Sequence, residues 1–445
     1  MSANAVRRPR SARRGQGAAE SGKGTSLEYN LLLTATLCLL ALGAVMVYSA
    51  SAAPSILQGG GSGTGYLVKF VLYGAIGMVV LRVLAREGVA RVQSLVGPLL
   101  AVSFVLVLAV HIPHVGVSVN GAKRWLGAGP LQFQPSELLK LALVLYGAAL
   151  LARKPGRVQD LRKLAKPLLA VFGAACLLVA TQPDIGTAMV IAFTGCALLV
   201  AAGIPRRNLA IILGSAFALV ALYALARPYA RARLTSFINP WAHASGSGFQ
   251  AVQGQIAIGS GGLLGVGPGQ SVQKIFYLPE AHTDFILAVI GEELGVVGIA
   301  AVLFLYGMIA YAGLRAAKAA RSLHSALIAV GMTSLIVSQA LLNVFAVLGP
   351  APLTGVPLPL VSYGSSSMIV TLAAVGLLLN VAAGGSAHVR SLPGRGGAQP
   401  RAAGGPPREQ AGWGREQEAE AIRGGRRRDG GTRRAGARGG RRAAG

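Results

Sequence analysis

Acidic residues and cysteines are scarce in this chain of 445 residues. Fifteen Asp and Glu stand against 42 Lys and Arg, and charged residues make up 13% of the sequence, fewer than a soluble domain of this length carries. The three cysteines lie in apolar stretches and no Cys-x-x-Cys occurs, so neither a disulfide framework nor a zinc site is indicated. No stretch shows the strand alternation of an outer-membrane barrel.

Hydrophobic residues make up 53% of the chain and fall in long blocks. This pattern predicts an all-α polytopic membrane protein of about ten transmembrane helices, with both termini cytoplasmic and a large extracytoplasmic loop between helices seven and eight. The predicted spans lie near residues 29–50, 66–84, 93–112, 136–152, 167–182, 186–203, 208–226, 284–313, 324–348 and 365–383.

Basic clusters support this topology, because Lys and Arg concentrate in cytoplasmic loops. With ten spans, every such cluster falls inside: 82–91, 153–166, 206–207 and 315–321. Three polar segments then lie outside: 113–135, 227–283 and 349–364. The longest of these contains a stretch, 249–258, whose composition suits a short amphipathic helix on the membrane surface.

Composition divides the chain into a basic N-terminal tail (1–27), a membrane domain (28–383) and an Arg/Gly-rich C-terminal tail (384–445). Neither tail can bury a core, so we expect both to be disordered and cytoplasmic. Binding to nucleic acid or anionic lipid is the alternative to a solvated tail that helps to fix topology. No aromatic interleaving or RNA-binding module accompanies the arginines, so we favour the solvated tail. For the whole protein we expect membrane lipid but no nucleic acid as a partner.

Asp284 follows a short polar run and directly precedes a long apolar block. In a structural interpretation, Thr283 or Asp284 caps the helix N-terminus. In a functional one, Asp284 is a general base at the bilayer surface, because a helix N-terminus favours the ionised carboxylate. His282 can tune that base or bind substrate. A His/Asp metal pair has weak support, since the spacing supplies no further ligand.

Four charged residues lie inside predicted spans, where a charge is costly and has to face protein or water. Glu137 and Lys140 are three residues apart on one helix face, which predicts a buried ion pair. Glu292 and Glu293 lie about two helical turns deeper than Asp284. For these two we favour hydrogen bonding within the bundle over a catalytic role.

The outer loops carry cations, amides and hydroxyls. Lys123 and Arg124 beside Trp125 suit either a phosphate at headgroup depth or a simple interface anchor. Asp184 follows a proline, and we interpret this pair as a helix break with Asp184 capping the next helix. The Pro/Ser/Gly segment 354–367 is predicted to be rigid and to offer free hydroxyls. The predicted substrate contacts are Lys123, Arg124, Trp125, Gln134, Arg233, Ser236, His282, Ser362 and Ser366.

One carboxylate together with several cations and hydroxyls suits a substrate with an anionic lipid carrier and a sugar above it. In these residues and their order, the chain resembles the SEDS family of FtsW, RodA and SpoVE. The run Leu-Pro-Glu-Ala-His-Thr-Asp-Phe-Ile at 278–286 is the most specific match, and 236–241 and 280–282 are nearer to FtsW than to RodA. The matching stretches are 120–140, 182–187, 235–241, 265–295 and 354–367.

The resemblance implies a peptidoglycan glycosyltransferase that polymerises lipid II in the inner membrane, with its active site on the extracytoplasmic face. It implies that Asp284 deprotonates the 4-hydroxyl of the acceptor sugar, that undecaprenyl diphosphate leaves, and that the anomeric configuration inverts. Lys123, Arg124 and Arg233 are expected to hold the diphosphate. A class B penicillin-binding protein and other division proteins are the implied partners. No cofactor is indicated, and a divalent cation stays open.

Two departures from the family's pattern, Ser365 and the unusual run Gly349-Pro-Ala-Pro352, concern the shape of the last outer loop and not the family. Ser365 stands where the family usually has glycine, which would strain the turn if that position needs a positive φ. A transporter that flips lipid II would depend on the charges inside the spans more than on Asp284. A scaffold for a transpeptidase would depend on none of these side chains, and an elongation role in the manner of RodA is a further alternative.

Overall fold

The computed structural model describes residues 12–59, 63–119, 122–128, 131–226, 231 and 235–384, and helices dominate them. The helices are α1 (Ala12–Leu57), α2 (Gly65–Ala109), α3 (Pro135–Arg153), α4 (Leu161–Thr181), α5 (Ile185–Ala201), α6 (Arg206–Ala226), α7 (Phe249–Gly261), α8 (Ile286–Ala319), α9 (Leu323–Leu348) and α10 (Ser365–Ala382). Short 3-10 turns occupy Pro155–Gln159 and Trp241–His243.

Every predicted span coincides with a helix. Among the described residues, eight segments are long and apolar enough to cross a membrane, and α5 is apolar but shorter. The helical membrane fold is therefore confirmed, while the count of ten spans and the sidedness of the loops stay predictions. α1 begins at Ala12, earlier than the predicted span, and the three-part division of the chain also stays a prediction.

The predicted second and third spans are the two halves of α2, which is broken at Gly88. Gly88 has φ +84°, a conformation that glycine adopts without a Cβ penalty. Asn380 of α10 satisfies the backbone at this break, because its Nδ2 donates to Ala85 O at 2.9 Å and its Oδ1 accepts from Val89 N at 3.3 Å. A buried amide therefore ties α10 to the bend of α2.

The interior of the membrane domain is formed by α3, α9 and α10, whose side chains are mostly buried. In the two halves of α2 and in helix α4, less than a quarter of the residues in the apolar stretch are fully buried, as in helices that face lipid. Polar residues of α3, α9 and α10 therefore project into protein, where each needs a hydrogen-bond partner.

α8 is also broken, at Gly295 with φ +69°. The loop 262–267 occupies the break and pairs with the backbone groups that the helix leaves unpaired: Val266 N donates to Glu292 O at 2.9 Å, and Val296 N donates to Gly262 O at 3.0 Å. An added Cβ on Gly295 would collide with Leu263 O. Only glycine permits this close approach, which docks the long loop against α8.

The loop after α2 contains a small antiparallel sheet of β1 (Gly116–Val119), β2 (Ala122–Ala128) and β3 (Leu131–Phe133). The all-α prediction missed this sheet. Its strands are too short for a strong alternation signal, although β1 and β2 flank the dipeptide Asn120-Gly121, which favours a two-residue hairpin turn. The sheet fixes which side chains of 122–127 turn toward the bundle.

Candidate active site

Asp284 lies half-buried at the end of a turn that leads into α8. Phe285 occupies the N-cap position, so the prediction that Thr283 or Asp284 caps the helix is wrong by one or two residues. Thr283 instead donates from Oγ1 to Glu280 Oε2 at 2.8 Å, and Thr283 N and Phe285 N both donate to Glu280 O. Glu280 thus organises the turn, with φ +55° at its own backbone.

The segment 354–356 passes directly beside the Asp284 carboxylate. An added Cβ on Gly355 would lie 3.3 Å from Asp284 Oδ2 and 3.9 Å from Arg124 Nη1. Asn343 of α9 joins the same two segments, since its Nδ2 donates to Asp284 O at 2.7 Å and to Val356 O at 2.8 Å. The Asp284 carboxylate, the Arg124 guanidinium and the backbone of Gly355, which has no side chain, therefore lie close together.

Arg124 reaches this point from strand β2. Its Nε donates to Gln182 O at 3.1 Å and its Nη2 donates to Pro183 O. Side chains alternate across a strand, so its neighbours Lys123 and Trp125 turn to the other face, where Lys123 is exposed and Trp125 is half-buried. Of the two adjacent cations, Arg124 is the one that the structure brings to Asp284.

Gln134 connects three loops around the site. Its Nε2 donates to Asp184 Oδ2 at 3.1 Å, and its backbone N donates to Ser366 Oγ at 2.9 Å. Asp184 caps α5 by accepting from Thr187 N at 3.1 Å, as its position after Pro183 predicts. These contacts hold the loops 122–134, 182–187 and 364–367 together.

The serine hydroxyls of the last loop are engaged, contrary to the sequence prediction, whereas Thr354 Oγ1 has no hydrogen-bond partner among the described residues. Ser362 Oγ accepts from Leu358 N at 2.9 Å and closes a turn. Ser366 Oγ accepts from Gln134 N. Ser365 is the first residue of α10, does not have a positive φ, and donates to Gln132 O at 3.1 Å. The serine at this position therefore adds a loop contact and no backbone strain.

A buried polar network lies one helical turn from Asn343. Lys140 Nζ donates to Glu137 Oε1 at 2.9 Å and to Gln339 Oε1 at 2.7 Å. Gln339 Nε2 in turn donates to Pro357 O and to Ser367 Oγ, each at 3.2 Å. The ion pair within α3 thus supports the backbone next to Val356, and through it the segment that passes Asp284.

Glu292 and Glu293 are buried in protein and hold the loop before the site. Glu292 accepts from Ser271 Oγ and from Val272 N, the latter at 3.0 Å. Glu293 accepts from Lys274 Nζ at 2.7 Å and from Ser49 Oγ at 2.6 Å. Sequence reasoning identified both carboxylates but missed Ser49 and Lys274, because no local pattern joins residues so far apart in the chain.

His282 packs in an aromatic group with Tyr66 and Tyr363, at ring-centroid distances of 4.4 and 5.9 Å. Tyr363 N also donates to His282 O at 3.0 Å. Burial lowers the pKa of His282 below its ordinary value, and burial raises the pKa of Tyr363 to about 12. Both rings are therefore neutral near pH 7.

The structure does not bring two of the predicted substrate contacts to this point. Arg233 falls outside the described residues. Ser236 is buried beside a separate cavity between α7 and the corner after α9. α7 itself packs against α8, because Gly254 lies against the ring of Phe285 and Gly261 lies against Gly291 O.

Within the described part of the chain, no group of three His, Cys, Asp or Glu side chains could hold a metal ion.

The sequence alone did not identify Asn343, Gln339 and Gly355 as residues of the site. Carboxamides in an otherwise apolar helix were a usable signal for the first two, because a buried amide needs partners. Nothing local marked Gly355 as the neighbour of Asp284.

Comparison with known proteins identifies the family. Residues 29–386 match the family model of FtsW, RodA and SpoVE, described as cell cycle protein. The chain is 42% identical to a probable peptidoglycan glycosyltransferase FtsW of Thioalkalivibrio sulfidiphilus, over 79% of this chain and 88% of that protein. It is 38% identical to stage V sporulation protein E of Bacillus subtilis, over 79% of this chain and 96% of that protein.

Solved structures agree. A chain from a structure described as structural coordination of polymerization and crosslinking by a peptidoglycan synthase complex matches with a TM-score of 0.65 and 32% identity, over 79% of this chain and 96% of that one. The rod shape determining protein RodA of Thermus thermophilus matches with a TM-score of 0.57 and 31% identity, over 79% of this chain and 95% of that one. The chain is therefore a multi-pass membrane protein that belongs to the FtsW/RodA/SpoVE family of cell cycle proteins.

Proposed function

We propose that this protein is a peptidoglycan glycosyltransferase of the FtsW type, which polymerises lipid II into glycan strands during cell division. The observation that carries this proposal is that Asp284, Arg124 and Gly355 lie close together at the N-terminal end of α8. A base for a sugar hydroxyl and a cation for a diphosphate lie there next to the same backbone position, which has no side chain. The names of the FtsW relatives support the same activity.

Asp284 is the general base. It removes the proton from the 4-hydroxyl of the acceptor's N-acetylglucosamine while that oxygen bonds to C1 of the donor's N-acetylmuramic acid. The bond from C1 to the diphosphate oxygen breaks, undecaprenyl diphosphate leaves with the electron pair, and the anomeric configuration inverts. A positioned base contributes about 10²–10⁴-fold to such a step, and positioning and leaving-group stabilisation supply the rest.

Arg124 is the main leaving-group ligand. Its Nε and Nη2 are engaged by the carbonyls of Gln182 and Pro183, which fixes the guanidinium plane and aims Nη1 toward Gly355. Guanidinium pairs strongly with phosphate oxygens. Lys123 and Trp125 on the other face of β2 contact the lipid headgroup region, and Arg233 is the third cation that the sequence assigns to the diphosphate.

The protein works in the inner membrane with Asp284 on the extracytoplasmic side, where the lipid-linked sugar is exposed. Its partners are lipid II, a class B penicillin-binding protein that crosslinks the new strand, and other division proteins. The structural relative from a peptidoglycan synthase complex supports a transpeptidase partner. A division role is preferred to an elongation role because the FtsW relatives reach higher identity than RodA does.

Two assays on one preparation test this function against transport. The full chain, co-purified with its transpeptidase, is given lipid II in detergent and scored for glycan polymer. The same complex in vesicles is scored for translocation of a fluorescent lipid II. Polymer without translocation is expected, whereas translocation without polymer would replace the glycosyltransferase by a flippase, and neither activity would leave a scaffold.

A further inference from the structure

A cavity of about 240 Å³ lies beside the site, between α7, the turn 236–240 and the corner that follows α9. Its polar lining consists of two carboxamides, Gln250 and Gln255, and two hydroxyls, Ser236 and Ser247. Phe237 and Leu353 contribute apolar walls. Asp284 and Arg124 are not part of it, so it is distinct from the point where the base and the cation meet.

The lining selects a class of ligand. None of the described residues that line the cavity carries a charge, so a diphosphate would find no cation there. Four polar side chains make it a poor site for a lipid tail, which needs an apolar wall. Amides and hydroxyls over an apolar floor suit a neutral sugar ring that bears an acetamido group.

The size of the cavity limits how much of a ligand enters. Pockets for drug-sized molecules span roughly 300–1,000 Å³. A cavity of about 240 Å³ falls below that range and fits one pyranose ring with its acetamido group, not a disaccharide with its peptide.

The cavity is joined to Asp284 by three short connections. Leu353 precedes Gly355 by two residues, which places this wall within about 8 Å of Gly355 along the chain. Gln250 Nε2 donates to Pro279 O at 3.2 Å, at the start of the segment that carries Asp284. Ala346 of the lining lies less than one helical turn beyond Asn343, which holds the backbone of Asp284.

We propose that this cavity is a subsite for one N-acetylated sugar ring of the lipid-linked substrate, next to the ring that reacts at Asp284. The Gln255 carboxamide pairs with the acetamido group, Gln250 presents its carbonyl oxygen while Pro279 holds its NH₂, and the serine hydroxyls pair with ring hydroxyls. The subsite rests on the proposed glycosyltransferase function, and it sets the register of the sugar chain relative to the base.

The test pairs two leucine variants on one helix. Gln255→Leu removes a lining carboxamide at nearly constant volume, and Gln253→Leu makes the same change at a half-buried position outside the cavity. In polymerisation by the full complex, Gln255→Leu is expected to raise KM for lipid II by about fivefold or more, in line with one lost hydrogen bond, with little change in kcat. Gln253→Leu is expected to match wild type.

A binding measurement separates the subsite from the reaction. Saturation-transfer NMR with free N-acetylglucosamine is recorded on both variants in an Asp284→Asn background, in a detergent without a sugar head group. Transfer that Gln255→Leu weakens and Gln253→Leu preserves supports the subsite even if the protein does not polymerise lipid II. Normal polymerisation by Gln255→Leu, equal transfer in both variants, or no transfer in either would overturn the subsite while leaving the proposed function intact.

Discussion

Asn343 holds the backbone of Asp284, because its Nδ2 donates to Asp284 O at 2.7 Å and to Val356 O at 2.8 Å. One buried amide on α9 therefore sets the spacing between the start of α8 and the segment that passes the carboxylate. The position of the proposed base depends on a residue that touches no reacting atom.

Replacing Asn343 by leucine tests this positioning role. Two buried carbonyls lose their donor, at about 1–3 kcal/mol each, and the carboxylate is released from its place. We expect kcat for polymerisation to fall about tenfold or more, with a smaller change in KM for lipid II. Ser338→Ala on the same helix is the control, and equal kcat in both variants would refute the role of Asn343.

Gly355→Ala tests how tightly the backbone packs against the carboxylate. The new Cβ would lie 3.3 Å from Asp284 Oδ2, and alanine at φ +68° also costs about 1 kcal/mol or more in backbone strain. Gly203→Ala carries the same type of strain at φ +82° with no atom within 4 Å. We expect both variants to be mildly destabilised in thermal unfolding, but only Gly355→Ala to lose most of its polymerisation rate. Equal activity would show that the approach to Asp284 has no catalytic importance.

Lys140→Met tests whether the ion pair in α3 is structural. The change leaves Glu137 buried without its cation. Breaking a buried ion pair in this way lowers the free energy of unfolding by about 3–5 kcal/mol. The double variant Glu137→Leu/Lys140→Met is expected to recover much of this loss, and Lys163→Met, in an exposed pair, to change stability little. Thermal unfolding in detergent measures all three. A stable single variant that loses lipid II translocation would instead favour a transporter.

His282 predicts a pH dependence of stability. The pKa of His282 is lowered in the fold, so below the ordinary histidine pKa of about 6.5 the unfolded chain binds more protons and stability falls as the pH falls. His282→Phe keeps a ring beside Tyr66 and Tyr363 and removes the titrating group. Between about pH 7.5 and 5.5, wild type should lose more thermal stability than the variant. Parallel losses would contradict the lowered pKa.

The helices could be predicted from the sequence because a membrane span needs a long apolar block, and length and composition alone reveal it. The N-cap of α8 was predicted at the wrong residue because the Thr283 side chain pairs with Glu280 and not with the helix backbone. The small sheet was missed because its strands have three to seven residues.

The site could be predicted only in part. Polar residues in apolar surroundings marked Asp284, Glu137, Lys140, Glu292 and Glu293, because such residues are costly unless they are paired. Their partners lie far away in the chain, as Ser49 does from Glu293, and only the packing of the helices brings them together.

The measurement that tests the account most directly is polymerisation of purified lipid II by the full chain with its transpeptidase, comparing wild type with Asp284→Asn. Asparagine keeps the shape of the side chain and removes the base, while Asp160→Asn makes the same change at an exposed carboxylate far from the site along the chain. The account predicts polymer from wild type and from Asp160→Asn, and none from an Asp284→Asn protein with an unchanged unfolding temperature. Equal polymer from Asp284→Asn and wild type would show that Asp284 is not the base.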